Sequence, residues 1–478
     1  MLFNSLAFAA FFSIVFVVYW ALPHKYRWIF LLAASYYFYM SWNAKYVVLI
    51  LFTTVVSYAA ALLIEKCQTQ TRKRIILTSG IVICLSVLIF FKYLNFLSNT
   101  VADIFALFAI ELNPVTVNVL LPVGISFYTF QTLSYVADVY TGKTEAEHNF
   151  GIYAAFISFF PQLVAGPIER TSNLLPQIKT EKQFDYDDAM YGIRLMLWGF
   201  FKKIAVADVL AVYVDTVYGS LMSYSGFDLA IAVFFFTIQI YCDFSGYSDI
   251  AIGTAKMLGI KLMTNFRSPY FSSSVKEYWS RWHISLSTWF RDYVYIPMGG
   301  SRCSKVRHYL NLLITFLVSG MWHGANWTFA IWGGVHGAAQ IAEDFCSEIL
   351  KKIRNSKIGK VFLTLIVFAF CNLAWIFFRA ESVSDAFYVM IHMFDNILNP
   401  SVYANNTLGL YRRDLLFLLG LIGIVALYDY CSLKEDIILV VQKCNKVIGI
   451  LVGYLLIILI VWGLMNSSGI NQFVYFQF

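Results

Sequence analysis

Charged residues are scarce in this chain: Asp, Glu, Lys and Arg make up 13% of its 478 residues, whereas a soluble domain carries about 25%. The deficit is spread evenly along the chain and is too large for a soluble enzyme. Hydrophobic residues reach 59% and aromatic residues 18%. Aromatic rings in this number are typical of lipid-facing surfaces and of the belts at membrane interfaces, so most of the apolar surface is expected to face lipid.

Several long stretches contain no charged residue at all. A membrane-spanning helix needs about 20 mostly apolar residues, and the stretches that meet or approach this length are 2–22, 46–64, 75–91, 361–378 and 447–478. Shorter apolar runs lie at 28–43, 119–137, 150–166, 190–201, 228–241 and 413–428, and one long charge-free run covers 309–342. We therefore predict an all-α, polytopic membrane protein with roughly 10 to 13 membrane segments, some of them re-entrant.

Short signatures of common enzyme classes are also missing. The chain contains no P-loop, no G-x-S-x-G and no H-E-x-x-H, which removes the usual nucleotide-hydrolase, serine-esterase and zinc-protease signatures. Its eight cysteines form no C-x-x-C pair, so we predict neither a metal site nor a disulfide framework. We find no internal repeat from which a fold could be argued.

The basic residues between the first spans predict the orientation of the chain. The first apolar segment lacks the basic start of a signal peptide, so we retain it as a span. Lys and Arg cluster at 24–27 and 66–74, after the first and third spans, whereas the loop after the second holds only Lys45. By the positive-inside rule the N-terminus is then extracytoplasmic. The net charge of +7 fits this rule and forms no basic stripe for nucleic acid.

The chain is predicted to form one membrane domain, 1–478, without a separate soluble module. Its parts are N-terminal spans at 1–166, a polar connector at 167–189, a core at 190–380 and C-terminal spans at 381–478. The core contains a basic loop, 261–308, with eight Lys or Arg residues against Glu277 and Asp292 and with many Trp and Tyr residues. A loop of this length without a clear span is expected to be functional.

His323 is the strongest candidate for chemistry, because it lies within the charge-free run 309–342. If a helix begins near Tyr309, His323 lies about 21 Å along it and past the midplane of a hydrocarbon core about 30 Å thick. An ionisable group at this depth indicates function, and imidazole transfers protons near neutral pH. Asn326 would share its helical face and fix its tautomer. The alternative is a structural histidine that hydrogen-bonds between helices.

His336 is the rival of His323 in the same run. The two histidines are 13 residues apart, which at about 100° per residue places them on opposite sides of a continuous helix. They would share one site only if the helix broke, for which Gly333 and Gly334 give an opportunity. We therefore favour a structural role for His336.

Two further groups of polar residues have alternative interpretations. His283 lies in the basic loop, where Arg281, Arg291 and Lys276 are candidates for binding the phosphates of a donor such as coenzyme A or, alternatively, for a basic belt on anionic lipid. A polar cluster follows an apolar run upstream and consists of Asp243, Ser245 and Asp249. Its carboxylates would accept hydrogen bonds from the basic loop and act directly in catalysis, or the cluster is a helix cap and turn around Gly246.

These residues lie in stretches that resemble the membrane-bound O-acyltransferase family, and more narrowly its bacterial branch of alginate and peptidoglycan O-acetylating proteins. The stretches that carry the resemblance are LPVGISFYTFQTLSYVADVY (121–140), FFPQLVAGPIER (159–170), YCDFSGYSDIAIG (241–253), SPYFSSSVKEYWSRWHISLSTWFRDYVYIPMGG (268–300), WHGANWTFAIWGGVHG (322–337), LAWIFFRA (373–380) and the terminal FVYFQF. They follow one another in the expected order along nearly the whole chain.

The resemblance implies a bacterial inner-membrane enzyme in which His323 is the catalytic histidine and His283 the second characteristic one. It implies cytoplasmic acetyl-coenzyme A as donor substrate, no permanently bound cofactor, and a central tunnel that meets the buried histidine. It also implies an extracytoplasmic partner of SGNH-hydrolase type and a polysaccharide acceptor. Asn326, Trp322 and the backbone near Gly324 would then position the reacting groups.

Three functions remain open from the residues themselves. The first is the acetyltransferase, with His323 as the base that takes the proton of an attacking hydroxyl. The second is a transporter or exporter of a lipid-linked glycan, which broken helices and buried polar residues would also serve. The third is a non-catalytic scaffold in a polysaccharide-modifying assembly. Consumption of acetyl-coenzyme A distinguishes the first from the other two.

Overall fold

The structure is a computed structural model that describes residues 1–118, 121–164, 166–396, 412–444, 446–467 and 473–474. All regular elements in these residues are helices, so the predicted all-α class is confirmed. The terminal FVYFQF motif begins at Phe473, and its residues 475–478 lie outside the described part.

Six helical segments in the described residues are long and apolar enough to cross a membrane. They are Ala44–Lys66, Gln70–Ala106, Phe227–Met257, Lys357–Arg379, Arg413–Ser432 and Val447–Asn466. The polytopic character predicted from the sequence is therefore confirmed. The other predicted segments form helices that are shorter, interrupted or less apolar, such as Leu6–Ala21, and they account for the difference from the 10 to 13 segments predicted.

The described residues group into two compact units, of which the first comprises Met1–Gly192 and Thr254–Met263. Its helices are α1 (Leu6–Ala21), α2 (His24–Met40), α3 (Val47–Lys66), α4 (Gln70–Leu88), α5 (Leu94–Ala106), α6 (Ile125–Tyr140), α7 (Phe150–Ser158), α8 (Phe160–Leu163) and α9 (Thr171–Lys179). Small polar residues on α3 allow close packing, and the hydroxyl of Ser57 lies 2.7 Å from that of Tyr153 on α7. Such side-chain hydrogen bonds join helices where no water competes.

The predicted polar connector contains α9 and is tied to the short segment that ends at Met263. Glu169, just before α9, is fully buried and accepts hydrogen bonds of 2.6 Å from the Met263 backbone N–H and from the Asn173 side chain. Burial raises the pKa of Glu169 to about 7, although the same hydrogen bonds oppose the shift. A carboxyl group in this setting is held in place by donors from two separate parts of the chain.

The second unit comprises Ile193–Gly253 and Thr264–Phe478 and contains both candidate histidines. Helix α10 (Tyr186–Phe200) leads into it and continues as a π-helix over Phe201–Ala207. The helices that follow are α11 (Asp208–Tyr218), α12 (Phe227–Met257), α13 (Val275–Arg281), α14 (Ile284–Phe290), α15 (Lys305–His323), α16 (Trp327–Phe345), α17 (Ser347–Arg354), α18 (Lys357–Arg379), α19 (Val383–His392), α20 (Arg412–Ser432), α21 (Ile437–Lys443) and α22 (Lys446–Asn466). The basic loop predicted at 261–308 thus contains α13, α14 and the start of α15.

Helices α15 and α16 form an antiparallel hairpin in which the backbones lie very close together. A Cβ atom at Gly320 would lie 2.2 Å from the carbonyl oxygen of Phe329, and one at Gly333 would lie 2.2 Å from that of Phe316. Only glycine permits this approach. The chain reverses direction at Gly324, and Asn326 caps α16 because its side-chain oxygen accepts the Thr328 backbone N–H at 3.1 Å.

This hairpin corrects the predicted course of the run 309–342. The sequence placed a possible helix break at Gly333 and Gly334, but α16 continues through both glycines and the break lies at Gly324. The argument that His336 lies opposite His323 assumed one continuous helix and was therefore wrong. The glycines at 333 and 334 remain helical because the close packing with α15 stabilises them there.

Candidate active site

The structure brings His283 and His323 together. Their ring centroids are 6.3 Å apart with an interplanar angle of 51°. His323 is the last residue of α15, 18 residues after Lys305 and so about 27 Å along the helix. Both side chains are buried, and the rings of Trp332 and Phe378 lie 5.2 and 5.4 Å from that of His323. Two imidazoles in one apolar enclosure are able to exchange protons with a bound substrate.

A strained turn between α13 and α14 carries His283 to this position. His283 has φ of 43°, a left-handed conformation that costs a residue other than glycine about 1–2 kcal/mol. Segment 265–267 holds the turn, because the Asn265 carbonyl accepts the Ile284 N–H at 2.9 Å and the Arg267 N–H donates to the Arg281 carbonyl at 3.0 Å. Strain that is retained by surrounding hydrogen bonds is common at functional sites.

The side chain of Asn265 determines which nitrogen of His283 carries the proton. The Asn265 side-chain oxygen accepts the Ser285 backbone N–H at 3.2 Å and the Ser285 hydroxyl at 2.9 Å, which fixes the orientation of the amide because a backbone N–H only donates. The same oxygen lies 3.1 Å from Nδ1 of His283. Nδ1 must therefore be the N–H donor, and Nε2 carries the lone pair.

The surroundings of His283 keep its imidazole neutral. Burial lowers the pKa of His283 well below its ordinary value, and the neighbouring His323 lowers it further. The ring of Phe244 lies 4.5 Å away in an edge-to-face arrangement. A neutral imidazole with a defined lone pair is the form required of a general base.

The predicted polar cluster on α12 is bound by lysines rather than by the basic loop. Asp243 lies 2.5 Å from the ammonium of Lys203, which also pairs with Asp208 at 2.8 Å. Asp249 pairs with Lys202 at 2.8 Å, and Lys202 donates to the Ser245 hydroxyl at the same distance. Breaking a buried pair of this kind by removing one partner costs about 3–5 kcal/mol.

Two predictions about this cluster were therefore wrong. Helix α12 continues from Phe227 to Met257, so no turn forms around Gly246, and the carboxylates do not bind the basic loop. Lys202 and Lys203 had been missed, although two lysines directly after an apolar run are a signal that buried partners are needed. Glycine at 246 serves close packing instead, since a Cβ atom there would lie 2.8 Å from the carbonyl oxygen of Gly199.

The described end of the chain packs beside the same cluster. Asp243 accepts the Val474 backbone N–H at 2.7 Å. The Phe473 ring, which is fully buried, lies 5.2 Å from Phe244 and 4.9 Å from Tyr247. Asp243 thus links Lys203 to the terminal motif, and Phe244 links that motif to His283.

The predicted supporting residues of His323 have different roles in the structure. Asn326 lies outside α15, and its side chain donates to the Glu381 carbonyl at 2.8 Å as well as capping α16. The prediction that it shares a helical face with His323 and fixes its tautomer was therefore wrong. Gly324 lies against the Phe329 ring, where a Cβ atom would be 2.0 Å from a ring carbon. Trp322 is half-buried next to His323 on α15.

The three candidate donor-binding residues lie on or after the short helices α13 and α14. Arg281 donates to Glu277 at 2.7 Å, whereas its buried Nη1 has no partner in the described part of the chain. Burial tends to raise the pKa of Glu277, but hydrogen bonds from Ser273 and the charge of Arg281 outweigh it and lower the pKa. Lys276 is exposed, and Arg291 pairs with Asp292 at 2.8 Å.

Comparison with known proteins identifies the class to which this helical membrane protein with paired buried histidines belongs. The model of the MBOAT, or membrane-bound O-acyltransferase, family matches residues 74–381. A probable alginate O-acetylase AlgI of Azotobacter vinelandii is 40% identical over 402 residues, which cover 82% of this chain and 78% of that protein. The peptidoglycan O-acetyltransferase of Helicobacter pylori is 36% identical over 386 residues, or 75% of this chain and 72% of that protein.

A more distant relative is named for a different activity. The teichoic acid D-alanyltransferase of Bacillus subtilis is 28% identical over 240 residues, which cover 48% of this chain and 61% of that protein. The fold and these relatives define a membrane-embedded acyltransferase. The chain belongs to the membrane-bound O-acyltransferase family, as its motifs predicted.

Proposed function

We propose that the protein takes acetyl groups from cytoplasmic acetyl-coenzyme A and passes them across the membrane for O-acetylation of an extracytoplasmic polysaccharide. The names of the relatives favour an alginate-like exopolysaccharide or peptidoglycan as the final acceptor. In keeping with the family resemblance, a partner protein of SGNH-hydrolase type would carry the group onward outside a bacterial inner membrane. The observation that carries the proposal is the buried pair His283 and His323 at the far end of α15.

The proposed chemistry is attack of a hydroxyl oxygen on the thioester carbonyl carbon. His323 takes the hydroxyl proton as the new C–O bond forms, and the C–S bond then breaks to release the coenzyme A thiolate, which takes up a proton. His323 is at the C-terminal end of α15, where the helix dipole favours a positive charge. That position stabilises the imidazolium formed during the reaction. His283, with its lone pair on Nε2, lies beside His323 and helps to position the acyl group of the donor.

The distribution of charge in the second unit supports transfer from the cytoplasm outward. Lys and Arg residues lie near the start of α15, on α17 and at the start of α18, namely Arg302, Lys305, Arg307, Lys351, Lys352, Arg354, Lys357 and Lys360. The positive-inside rule favours this end as cytoplasmic. His323 lies at the opposite end of α15, about 27 Å away, where an acceptor hydroxyl would arrive from outside.

Arg281 is the best-placed candidate for the phosphates of the donor. Its Nη2 is held by Glu277 while its buried Nη1 has no partner among the described residues, so one fixed N–H group is available for an anion. A guanidinium group is well shaped for phosphate oxygens. The residue is two positions from His283 in the chain.

Sealed inside-out vesicles test the proposal directly. Labelled acetyl-coenzyme A is added to the exposed cytoplasmic face, with purified partner or polysaccharide enclosed in the lumen. Label is expected to accumulate in the lumen with the wild-type protein and to be lost with His323→Gln, whose expression and detergent stability should match wild type. Label that appears only on acceptors outside the vesicles would contradict outward transfer. A lack of acetyl-coenzyme A consumption would instead favour transport or scaffolding.

A further inference from the structure

A group of aromatic rings on the other side of His323 connects it to His336. The ring of Trp332 lies 5.2 Å from that of His323 and 4.9 Å from that of His336. Trp332 and His336 are four residues apart on α16 and therefore share a helical face. The ring of Trp279 lies 5.1 Å from that of His336. His336 is thus one aromatic ring removed from the candidate base.

Two polar groups in this aromatic enclosure have no hydrogen-bond partner in the part of the chain that the structure describes. They are Nε1 of Trp332 and Nε2 of His336, and each side chain is 1% exposed. More than 90% of buried polar groups in proteins are paired, because an unpaired one costs about 1–3 kcal/mol. Two such groups on one helical face indicate a partner outside the described residues.

The hydrogen bond at the other nitrogen of His336 shows that both unpaired groups are donors. Trp279 Nε1 lies 3.2 Å from His336 Nδ1, and an indole N–H only donates. Nδ1 must therefore be the acceptor, so the proton of the neutral imidazole is on Nε2. Trp332 Nε1 is an N–H donor by its chemistry. The missing partner is accordingly an acceptor, and the aromatic rings around His336 favour a neutral oxygen over a charged one.

We infer that Trp332 and His336 bind a carbonyl oxygen of the acyl donor, either at the thioester or at an amide of the pantetheine arm. This inference rests on the proposed function, which makes an acyl thioester the donor substrate. The enclosure is aromatic, with Phe370 and Tyr278 also facing His336 at 5.1 and 6.1 Å. Such a lining suits the uncharged arm of coenzyme A and excludes its phosphates, whose burial without charged partners would be costly.

The matched substitutions Trp332→Phe and Trp375→Phe separate this role from simple packing. Trp375 stacks on Trp332 at 5.5 Å and is equally buried, but its N–H donates to the Tyr270 hydroxyl at 3.2 Å. Both substitutions remove one indole N–H and a similar volume from one cluster. Trp332→Phe should lower kcat/KM for acetyl-coenzyme A by about 5- to 100-fold, whereas Trp375→Phe should leave it within about twofold. In thermal unfolding without donor, Trp375→Phe should be the less stable variant.

A second pair of substitutions tests the other donor group. His336→Gln retains one acceptor for Trp279 and one N–H donor, whereas His336→Leu retains neither. The glutamine variant should therefore keep a larger fraction of kcat/KM for acetyl-coenzyme A than the leucine variant. Equal losses in both variants would contradict the hydrogen-bonding role of His336.

Binding of analogues that cannot transfer an acyl group identifies the carbonyl oxygen involved. Acetonyl-coenzyme A has a ketone near the position of the thioester carbonyl, and ethyl-coenzyme A has none. If Trp332 binds the thioester carbonyl, wild type should prefer the ketone analogue and Trp332→Phe should lose that preference. If Trp332 binds an amide of the arm, Trp332→Phe should bind both analogues more weakly by a similar factor.

The outcomes also separate this inference from the proposed function. An active wild-type protein together with unchanged donor kinetics and analogue binding in Trp332→Phe would overturn the inference alone. Equal losses of kcat/KM in Trp332→Phe and Trp375→Phe would do the same, because they would point to packing. A wild-type protein that neither consumes acetyl-coenzyme A nor binds the analogues would contradict the proposed donor, and the inference with it.

Discussion

Single residues around His283 determine what its imidazole is able to do. The Asn265 side-chain oxygen holds Nδ1 as the proton-bearing nitrogen, and the buried setting keeps the ring neutral. His283 itself was identifiable from the sequence, because its neighbourhood is basic and aromatic. Asn265 was not, since it is 18 residues away and the sequence contains no periodicity that would connect the two positions.

Replacing Asn265 tests this tautomer. Asn265→Leu removes the acceptor for Nδ1–H of His283, and we expect kcat to fall at least about tenfold, because the lone pair is no longer confined to Nε2. Asn265→Asp retains an acceptor and should keep more of the activity. Ser248→Ala removes only the contact of 3.3 Å to the Asn265 amide and serves as the mild control.

Nitrogen NMR of protein labelled at histidine provides the matching spectroscopic measurement. The His283 signals should report a proton on Nδ1 in the wild type and in Ser248→Ala, and a mixture of tautomers in Asn265→Leu. An unchanged tautomer in a folded but inactive Asn265→Leu protein would show that Asn265 acts on folding of the turn alone.

The buried carboxyl group of Glu169 should make the stability of the folded protein depend on pH. Its pKa is raised from 4.5 to about 7 in the folded protein, so folding favours the protonated carboxyl. The stability from this group is complete below about pH 4.5 and is lost as the pH rises through about 7. Relative to Glu169→Gln, the wild-type melting temperature should therefore decrease between about pH 5 and pH 8. The exposed Glu145→Gln variant should show the wild-type trend.

At the scale of elements, the α15–α16 hairpin holds His323 at the end of a helix. Its two close backbone contacts, at Gly320 and Gly333, set the distance between the helices. The sequence indicated a helix break within this run but placed it at the wrong glycines. Gly333 and Gly334 look like a helix-breaking pair locally, whereas tertiary packing keeps them helical. The reversal lies at Gly324 instead, and Asn326 caps the helix that follows it.

The adjacent glycines of α16 provide a matched pair of substitutions. Gly333→Ala would place a Cβ atom 2.2 Å from the Phe316 carbonyl oxygen and should separate the helices, lowering both the melting temperature and the activity. Gly334→Ala meets only a Leu317 side-chain carbon at 3.5 Å and should stabilise α16 by about 0.5–1 kcal/mol. Thermal unfolding in detergent and acetyl transfer measure both. Equal effects of the two substitutions would contradict the close-packing account.

The full length of helix α12 was not predictable from the sequence. Asp243 and Asp249 were read as the polar end of an apolar segment, because carboxylates are costly inside a membrane. The helix nevertheless continues past both of them, since Lys203 and Lys202 supply the opposite charges. The partners come from a separate helix, and their pairing depends on a three-dimensional arrangement that spacing along the chain does not encode.

At the scale of the whole molecule, composition and charge-free stretches were sufficient to predict the class of protein. Scarce charge and long apolar runs follow directly from the lipid environment, so they are visible in any window of the sequence. The division of the described residues into two compact units was not predictable in this way, because the segment Thr254–Met263 groups with the first unit although it lies far along the chain.

Cysteine labelling tests the predicted orientation of the second unit. With the exposed Cys303, Cys346 and Cys444 replaced by serine, Ser304→Cys should react only with reagent supplied at the cytoplasmic face, because it precedes the basic start of α15. Ser223 lies beside Tyr224, whose carbonyl accepts the Tyr388 hydroxyl of α19 at 3.3 Å. Because α19 follows the end of α18 opposite its basic start, Ser223→Cys should react only with reagent supplied from outside. The reverse pattern would invert the proposed path of the acetyl group.

The π-helix at Phe201–Ala207 has a consequence for how this part of the chain is able to evolve. A π-helical turn contains one residue more than an α-helical turn, and this extra residue aligns Lys202 and Lys203 with their carboxylates on α12. A Cβ atom at Gly463 would lie 2.6 Å from Ala205, so the turn is also confined from outside. Deletion of one residue here would rotate the following helix by about 100° and separate Asp208 from Lys203. The length of this segment is therefore as constrained as the identities of Lys202 and Lys203.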